Sequence, residues 1–236
     1  MLNFDDQDGQ IWFDGALRPW RSVNLHVLTH GLHYGSCVFE GERVYSGRVF
    51  HLRQHTERLI NSAGMLGFKI PWSLEEIEQA TRETVAAQGY ADAYVRPVAW
   101  RGSEMMGVSA QKSRIHLAIA VWEWPSYFSP EARMKGIRLK WSSWKRPSPD
   151  CFLDGITRRS VIRLARARGY EIVERAIMPD ELSKAAEIFV TGTAAEVTPV
   201  GQIDEMKFAV GPITRALMQD YEKLVRRPET AASSAA

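Results

Sequence analysis

The stretch VFEGERVYSGRVF, residues 38–50, decides the local fold in the first half of the chain. Side chains alternate between two faces up to Tyr45, and a period of two is typical of a β-strand. Ser46-Gly47 is a two-residue turn signal, after which an extended run resumes. The sequence therefore predicts a β-hairpin. The first strand of this hairpin places on one face Val38, Glu40, Glu42 and Val44.

The opposite face of the predicted hairpin carries Phe39, Gly41 and Arg43 in a row. An apolar wall, a gap and a cation suit a pocket for a small molecule that has both apolar and anionic parts. The same spacing is compatible with an ordinary hairpin in which Arg43 forms a salt bridge. Tyr94 and Arg96 repeat the aromatic-plus-arginine pattern on a later strand, where a solvated arginine beside a half-buried tyrosine is the alternative.

A helix is predicted after the hairpin, because apolar residues recur at helical spacing at Leu52, Leu59, Ala63 and Leu66. Arg58 lies beside this buried stripe. An arginine in that position usually has a fixed anionic partner, because burying it without one is costly. The partner is either a carboxylate of the protein or the phosphate of a ligand.

The composition is that of an ordinary globular protein. Its 236 residues are 45% hydrophobic and 25% charged, enough for one large or two small domains. A net charge of +2 gives no reason to expect nucleic-acid or membrane-surface binding. Cys37 and Cys151 show no metal-type spacing, and no signal peptide or membrane span is indicated. We therefore expect a cytoplasmic protein with reduced cysteines.

Further elements are predicted in the first half of the chain. Residues 11–17 indicate a hairpin with an Asp-Gly turn. Residues 73–88 begin with a capping box and end before a glycine, which predicts a helix. Residues 93–100 are rich in β-formers, but Pro97 indicates an edge or an irregular point. The near-continuous apolar run at 115–122 predicts a central strand.

Three histidines, His26, His30 and His33, are close enough in sequence to suggest a metal site. The helical metalloprotease motif needs a glutamate directly after its first histidine, and Val27 stands there instead. We therefore do not expect these residues to bind a metal.

The second half of the chain contains two possible anion cradles. Gly155-Ile156-Thr157 opens a predicted helix, and the free amides and dipole of a helix N-terminus favour an anion. Thr191-Gly192-Thr193-Ala194-Ala195 follows a predicted strand, and its small residues would let backbone amides approach a ligand closely. A turn of small residues serves packing equally well. The other predicted elements are strands at 136–143, 171–177 and 187–191 and helices at 179–184 and 212–224.

These motifs resemble those of one family, the branched-chain aminotransferases among the fold type IV pyridoxal-phosphate enzymes. The resemblance is carried by His33-Tyr34-Gly35, Phe39-Glu40-Gly41, Arg43, His55-x-x-Arg58-Leu59, Tyr94-x-Arg96-Pro97, Gly155-Ile156-Thr157-Arg158 and the run from Thr191 to Pro199. It covers residues 10–147 and 149–224. It implies an α/β (α+β) fold with the two-domain fold type IV architecture. The implied domains are a small α/β domain at 1–124 and a truncated large cofactor-binding domain at 135–226. The turn-rich break from Trp124 to Pro130 predicts a linker at 125–134, and the biased composition of the last residues predicts a disordered tail at 227–236.

The resemblance also implies ligands and site residues. The cofactor would be pyridoxal 5′-phosphate, the substrates would be amino acids and 2-oxo acids, and the assembly would be a homodimer or a higher homo-oligomer. The cofactor phosphate would be held by Arg58, by the amides of Ile156 and Thr157, and by Thr193. The substrate would be received by residues that partly reach from a second subunit, namely Tyr34, Phe39, Gly41, Arg43, Tyr94, Arg96, Val108, Trp124, Tyr127 and Ala194.

The chain departs from the family pattern at one place. Members carry a Schiff-base lysine shortly after the segment that matches residues 142–149, and further on a glutamate against the pyridine nitrogen. Neither segment occurs here, since Pro149 is followed directly by Asp150. Lys140 and Lys145 do not match the catalytic position. We interpret this as an internal deletion, so that no catalytic residue is assigned.

Three hypotheses follow from the resemblance and the departure. The first is pyridoxal-phosphate-dependent transamination of leucine, isoleucine or valine with 2-oxoglutarate. The second is a catalytically impaired remnant that binds the cofactor non-covalently or only pairs with a full-length subunit. The third is that the gene encodes a further segment between Pro149 and Asp150, which sequencing of the coding DNA would reveal.

Overall fold

A computed structural model describes residues 3–124, 128–143 and 154–228 of the chain. The chain divides into two compact units, Met1–Trp124 and Pro125–Ala236, called unit 1 and unit 2 below. Most of the predicted disordered tail and the junction at Pro149 lie outside the described residues. Among the residues that are described, no helix is both long and apolar enough to cross a membrane.

Unit 1 is a seven-stranded sheet with its two long helices on one face. The strands follow the spatial order β2-β1-β7-β6-β4-β5, and β3 also pairs with β6. Every pairing is antiparallel. The elements are β1 (Gln10–Phe13), β2 (Ala16–Pro19), a 3-10 turn (Trp20–Ser22), α1 (His30–Tyr34), β3 (Cys37–Phe39), β4 (Glu42–Tyr45), β5 (Arg48–Val49), α2 (Leu52–Met65), α3 (Leu74–Gln88), β6 (Ala93–Arg101) and β7 (Ile115–Glu123).

The predicted turn at Ser46-Gly47 is confirmed. β4 and β5 pair with Tyr45 opposite Arg48, and both turn residues have positive φ, 51° at Ser46 and 78° at Gly47. Positive φ at both positions is the type I′ geometry that matches the twist of a hairpin. The hairpin predicted at residues 11–17 is confirmed for the same reason, with its Asp-Gly turn between β1 and β2.

Pro97 explains why the predicted strand at 38–45 is divided into β3 and β4. The amide of Glu40 donates to the carbonyl of Pro97 at 2.9 Å, but proline has no N–H to donate in return. The pairing register is nevertheless the same on both sides of the break, with Phe39 opposite Val98 and Glu42 opposite Val95. Of the two expectations for Pro97, the irregular point is correct. The edge position is wrong, because β6 lies inside the sheet.

The core of unit 1 lies between the sheet and helices α2 and α3. The residues that fill it are fully or almost fully buried, and include Val44, Leu59, Ile77, Val95, Leu117, Ile119 and Val121. The predicted central strand β7 is confirmed. Helix α3 begins with the predicted capping box, in which Ser73 and Glu76 each accept the other's backbone N–H.

Unit 2 is built around β10, which is almost completely buried from Val197 to Val200. β10 pairs antiparallel with β9 and β11 and parallel with β8. Helix α5 packs on β9 and on α6, and α6 also packs on β10. The elements are α4 (Pro130–Lys135), β8 (Ile137–Leu139), α5 (Ile156–Ala167), a 3-10 helix (Pro179–Lys184), β9 (Ile188–Gly192), β10 (Glu196–Ile203), β11 (Met206–Lys207) and α6 (Pro212–Arg226).

Three expectations for unit 2 differ from the structure. The strand predicted at residues 171–177 is wrong, because these residues form no ladder with any described strand. A strand needs a partner for its backbone hydrogen bonds, and this segment has none in the described part of the unit. The strand predicted at residues 136–143 is shorter in the structure, where β8 ends at Leu139. Helix α4, whose first turn is capped by Ser129, covers residues 130–134 of the predicted linker and residue 135 of the predicted large domain.

Candidate active site

Arg58 has a protein carboxylate as its fixed partner. Its Nε and Nη2 donate to the two carboxylate oxygens of Glu40 at 2.6 and 2.7 Å, and His55 Nδ1 lies 2.8 Å from the same carboxylate. Burial alone would raise the pKa of Glu40, but the hydrogen bonds from Arg58 and His55 hold it below its ordinary value. Glu40 is therefore an anion that ties the β3–β4 junction to helix α2. The role of Arg58 at a cofactor phosphate stays a prediction.

The opposite face of the sheet brings several predicted substrate residues together. Gly41 and Arg96 are neighbours across the β3–β4 break, and Arg43 lies directly opposite Tyr94. A β-carbon at Gly41 would come within 2.0 Å of the Tyr94 hydroxyl oxygen. The space beside Gly41 is therefore occupied by the Tyr94 side chain, whereas the row of aromatic, glycine and arginine predicted a gap for a small molecule. We call the surface formed by Phe39, Gly41, Arg43, Tyr94 and Arg96 the arginine face.

The guanidinium of Arg43 is buried without a counter-ion in the described part of the chain. Only 8% of Arg43 is exposed, and its Nε has no hydrogen-bond partner. Its guanidinium carbon lies 5.0 Å from the ring centre of Tyr45, a cation–π contact that partly offsets the loss of hydration. The salt-bridge alternative for Arg43 is therefore wrong among the described residues.

Arg96 is held between two aromatic rings. Its guanidinium carbon lies 4.3 Å from the ring centre of Phe39 and 5.3 Å from that of Tyr94, and its Nη2 donates to the Tyr94 hydroxyl oxygen at 3.2 Å. Its buried Nε has no partner among the described residues. Buried polar groups normally have partners, so orphaned donors on both Arg43 and Arg96 suit a bound anion such as a carboxylate.

Two tryptophans extend the arginine face as an apolar wall. The rings of Trp122 and Trp124 lie 5.1 and 4.7 Å from the ring of Tyr94, between centroids. Trp124 was predicted as a substrate residue, whereas Trp122 was missed. Its signal was available, because residues two apart on a strand share a face and Trp122 pairs directly with Tyr94. An apolar wall beside a cationic pair matches an amino or oxo acid with an apolar side chain.

Tyr34 and Val108 lie on a different part of unit 1. The Tyr34 hydroxyl donates to the carbonyl of Met106 at 3.2 Å, which places α1 against the loop that carries Val108. Both side chains are exposed, with 85% of Val108 accessible. Nearby, His30 Nδ1 and Nε2 contact Ser36 and a backbone carbonyl, so this histidine is occupied by the protein itself.

The predicted phosphate cradle lies in unit 2. Helix α5 begins at Ile156 after Gly155, with no side-chain cap, and Thr157 is buried in its first turn. Thr193 and Ala194 occupy the turn between β9 and β10, both half-buried. Arg58 belongs to unit 1, so its convergence with Thr157 and Thr193 on one phosphate stays a prediction. Tyr127 lies outside the described residues.

The described residues do not fit the aldehyde end of pyridoxal 5′-phosphate. A Schiff-base lysine needs a lowered pKa, which enzymes obtain by burying it. Every lysine in the described ranges has an exposed side chain, namely Lys69, Lys112, Lys135, Lys140, Lys184, Lys207 and Lys223. Lys145 falls outside those ranges. The helix start at Thr157 and the turn at Thr193 suit the phosphate end only.

The chain matches one family profile and is similar in sequence to known proteins. The profile of the family described as Amino-transferase class IV matches residues 37–151 and 139–203. The branched-chain-amino-acid aminotransferase of Pseudomonas aeruginosa is 34% identical over 292 residues, which cover 95% of this chain and 95% of the relative. This span exceeds the 236 residues of the chain, so more than fifty positions of the alignment have no counterpart here.

Solved structures of branched-chain aminotransferases have the same fold. The Escherichia coli structure superposes with a TM-score of 0.89 at 27% identity, covering 97% of this chain and 98% of that one. The T.th. structure, determined with pyridoxamine 5′-phosphate, has a TM-score of 0.88 at 33% identity, covering 94% and 96%. These superpositions cover nearly all of this chain and of each solved structure, and they confirm the predicted fold type IV architecture.

Proposed function

Since the chain belongs to the class IV aminotransferase family, we propose that its function is transamination of branched-chain amino acids. The substrates are leucine, isoleucine or valine, and 2-oxoglutarate accepts the amino group. The cofactor is pyridoxal 5′-phosphate, which supplies an electron sink for the α-carbon of an amino acid. The observation that carries the proposal is the arginine face, where the buried Nε donors of Arg43 and Arg96, which have no partner among the described residues, adjoin an aromatic wall.

The chemistry of the arginine face supports this substrate class. A carboxylate would satisfy the orphaned Nε donors of Arg43 and Arg96, and charge-assisted hydrogen bonds of this kind are among the strong ones. The rings of Phe39, Trp122 and Trp124 offer apolar contact for a branched side chain. An acceptor with a second carboxylate, such as 2-oxoglutarate, would gain more from the two cations than an apolar substrate does.

We assign the remaining predicted residues within this proposal. Residues 1–124 serve as the small domain, residues 125–134 as the linker and residues 135–226 as a truncated cofactor domain. There Ile156, Thr157 and Thr193 would bind the phosphate and Ala194 the substrate carboxylate. Tyr34, Val108 and Tyr127 would line the side-chain pocket, some of them from a second copy of the chain, in a cytoplasmic homodimer or higher homo-oligomer.

A second candidate function is favoured by one specific observation. The described residues offer no buried lysine, and the chain lacks more than fifty alignment positions of its relative. General-base catalysis alone contributes about 10²–10⁴ to a rate, so its loss would leave a chain that binds ligands with little turnover. This candidate is a catalytically impaired remnant that holds pyridoxal 5′-phosphate without a covalent bond.

An activity measurement on the purified chain separates the two candidates. Leucine, 2-oxoglutarate and pyridoxal 5′-phosphate are supplied, and glutamate formation is compared with a protein-free reference. Transamination requires glutamate above that reference and, after borohydride reduction, a cofactor-modified lysine in the mass spectrum. Binding of 2-oxo acids with neither of these signals would establish the remnant.

A further inference from the structure

Strand β9 is a sheet edge that lacks the protection edges usually have. In the described part of unit 2 it pairs with β10 alone, so its outer row of backbone N–H and C=O groups faces no other described strand. Natural edges are usually protected by charges, by proline or by very short strands. β9 is five residues long, Ile188-Phe189-Val190-Thr191-Gly192, and carries neither a charge nor a proline.

The composition of β9 is that of an internal strand. Consecutive apolar and β-branched residues are typical of strands that are covered on both faces. The neighbouring strand β10 illustrates this, since Val197 and Val200 are completely buried. In β9, by contrast, Ile188, Phe189 and Val190 are all only half-buried. β9 therefore has the sequence of a strand that is covered on both faces, although it is half-buried and pairs with only one described strand.

A second extended segment of the same unit also has no partner strand in the described part of the chain. None of the backbone N–H groups of residues 171–177 donates a hydrogen bond to a described residue. Val173 and Ile177 are 69% and 62% exposed. The carboxylate of Glu174 forms ion pairs with two arginines of α5, Arg158 and Arg166. What stays uncovered is the apolar part of a segment whose sequence predicts a strand.

The relatives carry polypeptide that would begin and end at this sheet. The two matches of the family profile, 37–151 and 139–203, overlap within 139–151, which places the missing positions after β8 and before α5. β8 pairs with β10, and α5 packs on β9. A segment of more than fifty residues that connects these two elements would therefore start and end beside the sheet that contains β9.

We propose that the edge of β9 that no described strand covers is a strand-acceptor surface for a partner polypeptide. Its occupant is an extended part of the segment that relatives carry between the positions of Leu139 and Ile156, supplied by another molecule. Backbone hydrogen bonds to β9 would provide the affinity, as in other cases of β-strand addition. The half-buried side chains of Ile188, Phe189 and Val190 would gain cover. The proposal needs no catalytic activity, so it stands or falls separately from transamination.

Hydrogen exchange tests this proposal on the full-length chain. The probe is a synthetic polypeptide with the residues of the Pseudomonas aeruginosa relative that align between Leu139 and Ile156. We expect those amides of Ile188–Gly192 that point away from β10 to exchange roughly tenfold more slowly when the probe saturates the chain, because they become hydrogen-bonded. The amides of β10 serve as the internal reference, since they are already paired.

A substitution pair makes the test specific. Val190→Lys places a charge on the acceptor strand and should abolish the protection, whereas Met134→Lys, at a 53% exposed position of α4, should leave it intact. Circular dichroism verifies that both variants are folded. Unchanged exchange of β9 with the probe in excess overturns the proposal, even if Val190→Lys proves unfolded. Concentration-dependent protection of β9 without the probe would identify a second copy of the chain as the occupant, and would overturn the assignment made here.

Discussion

The Tyr94 hydroxyl oxygen lies over Gly41 so closely that a β-carbon there would be 2.0 Å away. Glycine is therefore required at this position by the approach of another side chain. We expect Gly41→Ala to destabilise unit 1 by about 1–3 kcal/mol, because Tyr94 must move out of its contacts with Arg96 and Trp122. Urea unfolding followed by tryptophan fluorescence measures the change.

The matched control for this substitution is Gly64→Ala. Gly64 lies in helix α2, and a β-carbon there meets nothing within 4 Å. Alanine should stabilise the helix by about 0.5–1 kcal/mol, because glycine loses more backbone entropy on folding. If the two alanine substitutions have equal effects on the urea midpoint, the close approach of Tyr94 does not explain Gly41.

The carboxylate of Glu40 holds the β3–β4 junction to helix α2 through Arg58 and His55. Glu40→Gln keeps the shape but removes the charge, and leaves a largely buried guanidinium without its anion. We expect a loss of about 3–4 kcal/mol in unfolding free energy, the lower part of the range for a broken buried pair. Glu57→Gln, on the exposed side of the same helix, should change it by less than about 0.5 kcal/mol. A loss at Glu40 no larger than the loss at Glu57 would contradict the structural role of this cluster.

Glu42 makes the stability of unit 1 depend on pH. Its side chain is 1% exposed, and one carboxyl oxygen has no hydrogen-bond partner among the described residues. Burial, together with the charges of Glu40 and Glu78, raises the pKa of Glu42 well above its ordinary value. The folded chain therefore binds a proton that the unfolded chain releases near its ordinary pKa of about 4.3. The contribution of Glu42 to the free energy of unfolding is fully present below that pH and is lost as the pH rises through the pKa of Glu42 in the folded chain.

Urea titrations at a series of pH values measure this linkage. Glu42→Gln should flatten the decline of stability with rising pH, because the amide is neutral throughout. Glu83→Gln, an exposed position on α3, should leave the decline unchanged. A decline that survives in Glu42→Gln would assign the proton to another group.

We expect Arg43 to lower the stability of the free chain and to contribute to anion binding. Its buried guanidinium has no counter-ion among the described residues, so Arg43→Met removes a charge that is costly to bury. We expect the free chain to gain about 1 kcal/mol in unfolding free energy while binding of 2-oxo acids weakens. Arg53→Met on the exposed side of α2 should change neither property. If Arg43→Met destabilises the free chain, the guanidinium has a stabilising partner in solution.

Local chemistry explains which parts of the fold are predictable from the sequence. The turns at Asp14-Gly15 and Ser46-Gly47 and the capping box of Ser73 depend on residues a few positions apart. The internal position of Pro97 was not predictable, because the missing N–H faces a break in a different strand. The segment at 171–177 has a strand sequence but forms no strand, since pairing needs a partner that no local pattern reveals.

The candidate site likewise has parts that the local sequence predicts and parts that depend on tertiary packing. Alternation alone placed Phe39, Gly41 and Arg43 on one face, and the structure confirms this arrangement. The partner of Arg58 was left open between a carboxylate and a phosphate, because Glu40 is 18 positions away and only tertiary packing brings it near. Trp122 was missed because its importance depends on its pairing with Tyr94, which joins two strands across a long loop.

The role of the arginine face in carboxylate binding is tested most directly by calorimetric titration of the chain with 4-methyl-2-oxopentanoate, the 2-oxo acid of leucine, and with 2-oxoglutarate. We predict that both bind and compete for one site. Arg96→Met should weaken the binding of each by roughly tenfold or more, as expected when a charge-assisted hydrogen bond is lost. Absence of binding, or affinities that Arg96→Met leaves unchanged, would contradict the assignment of the arginine face to the substrate carboxylate.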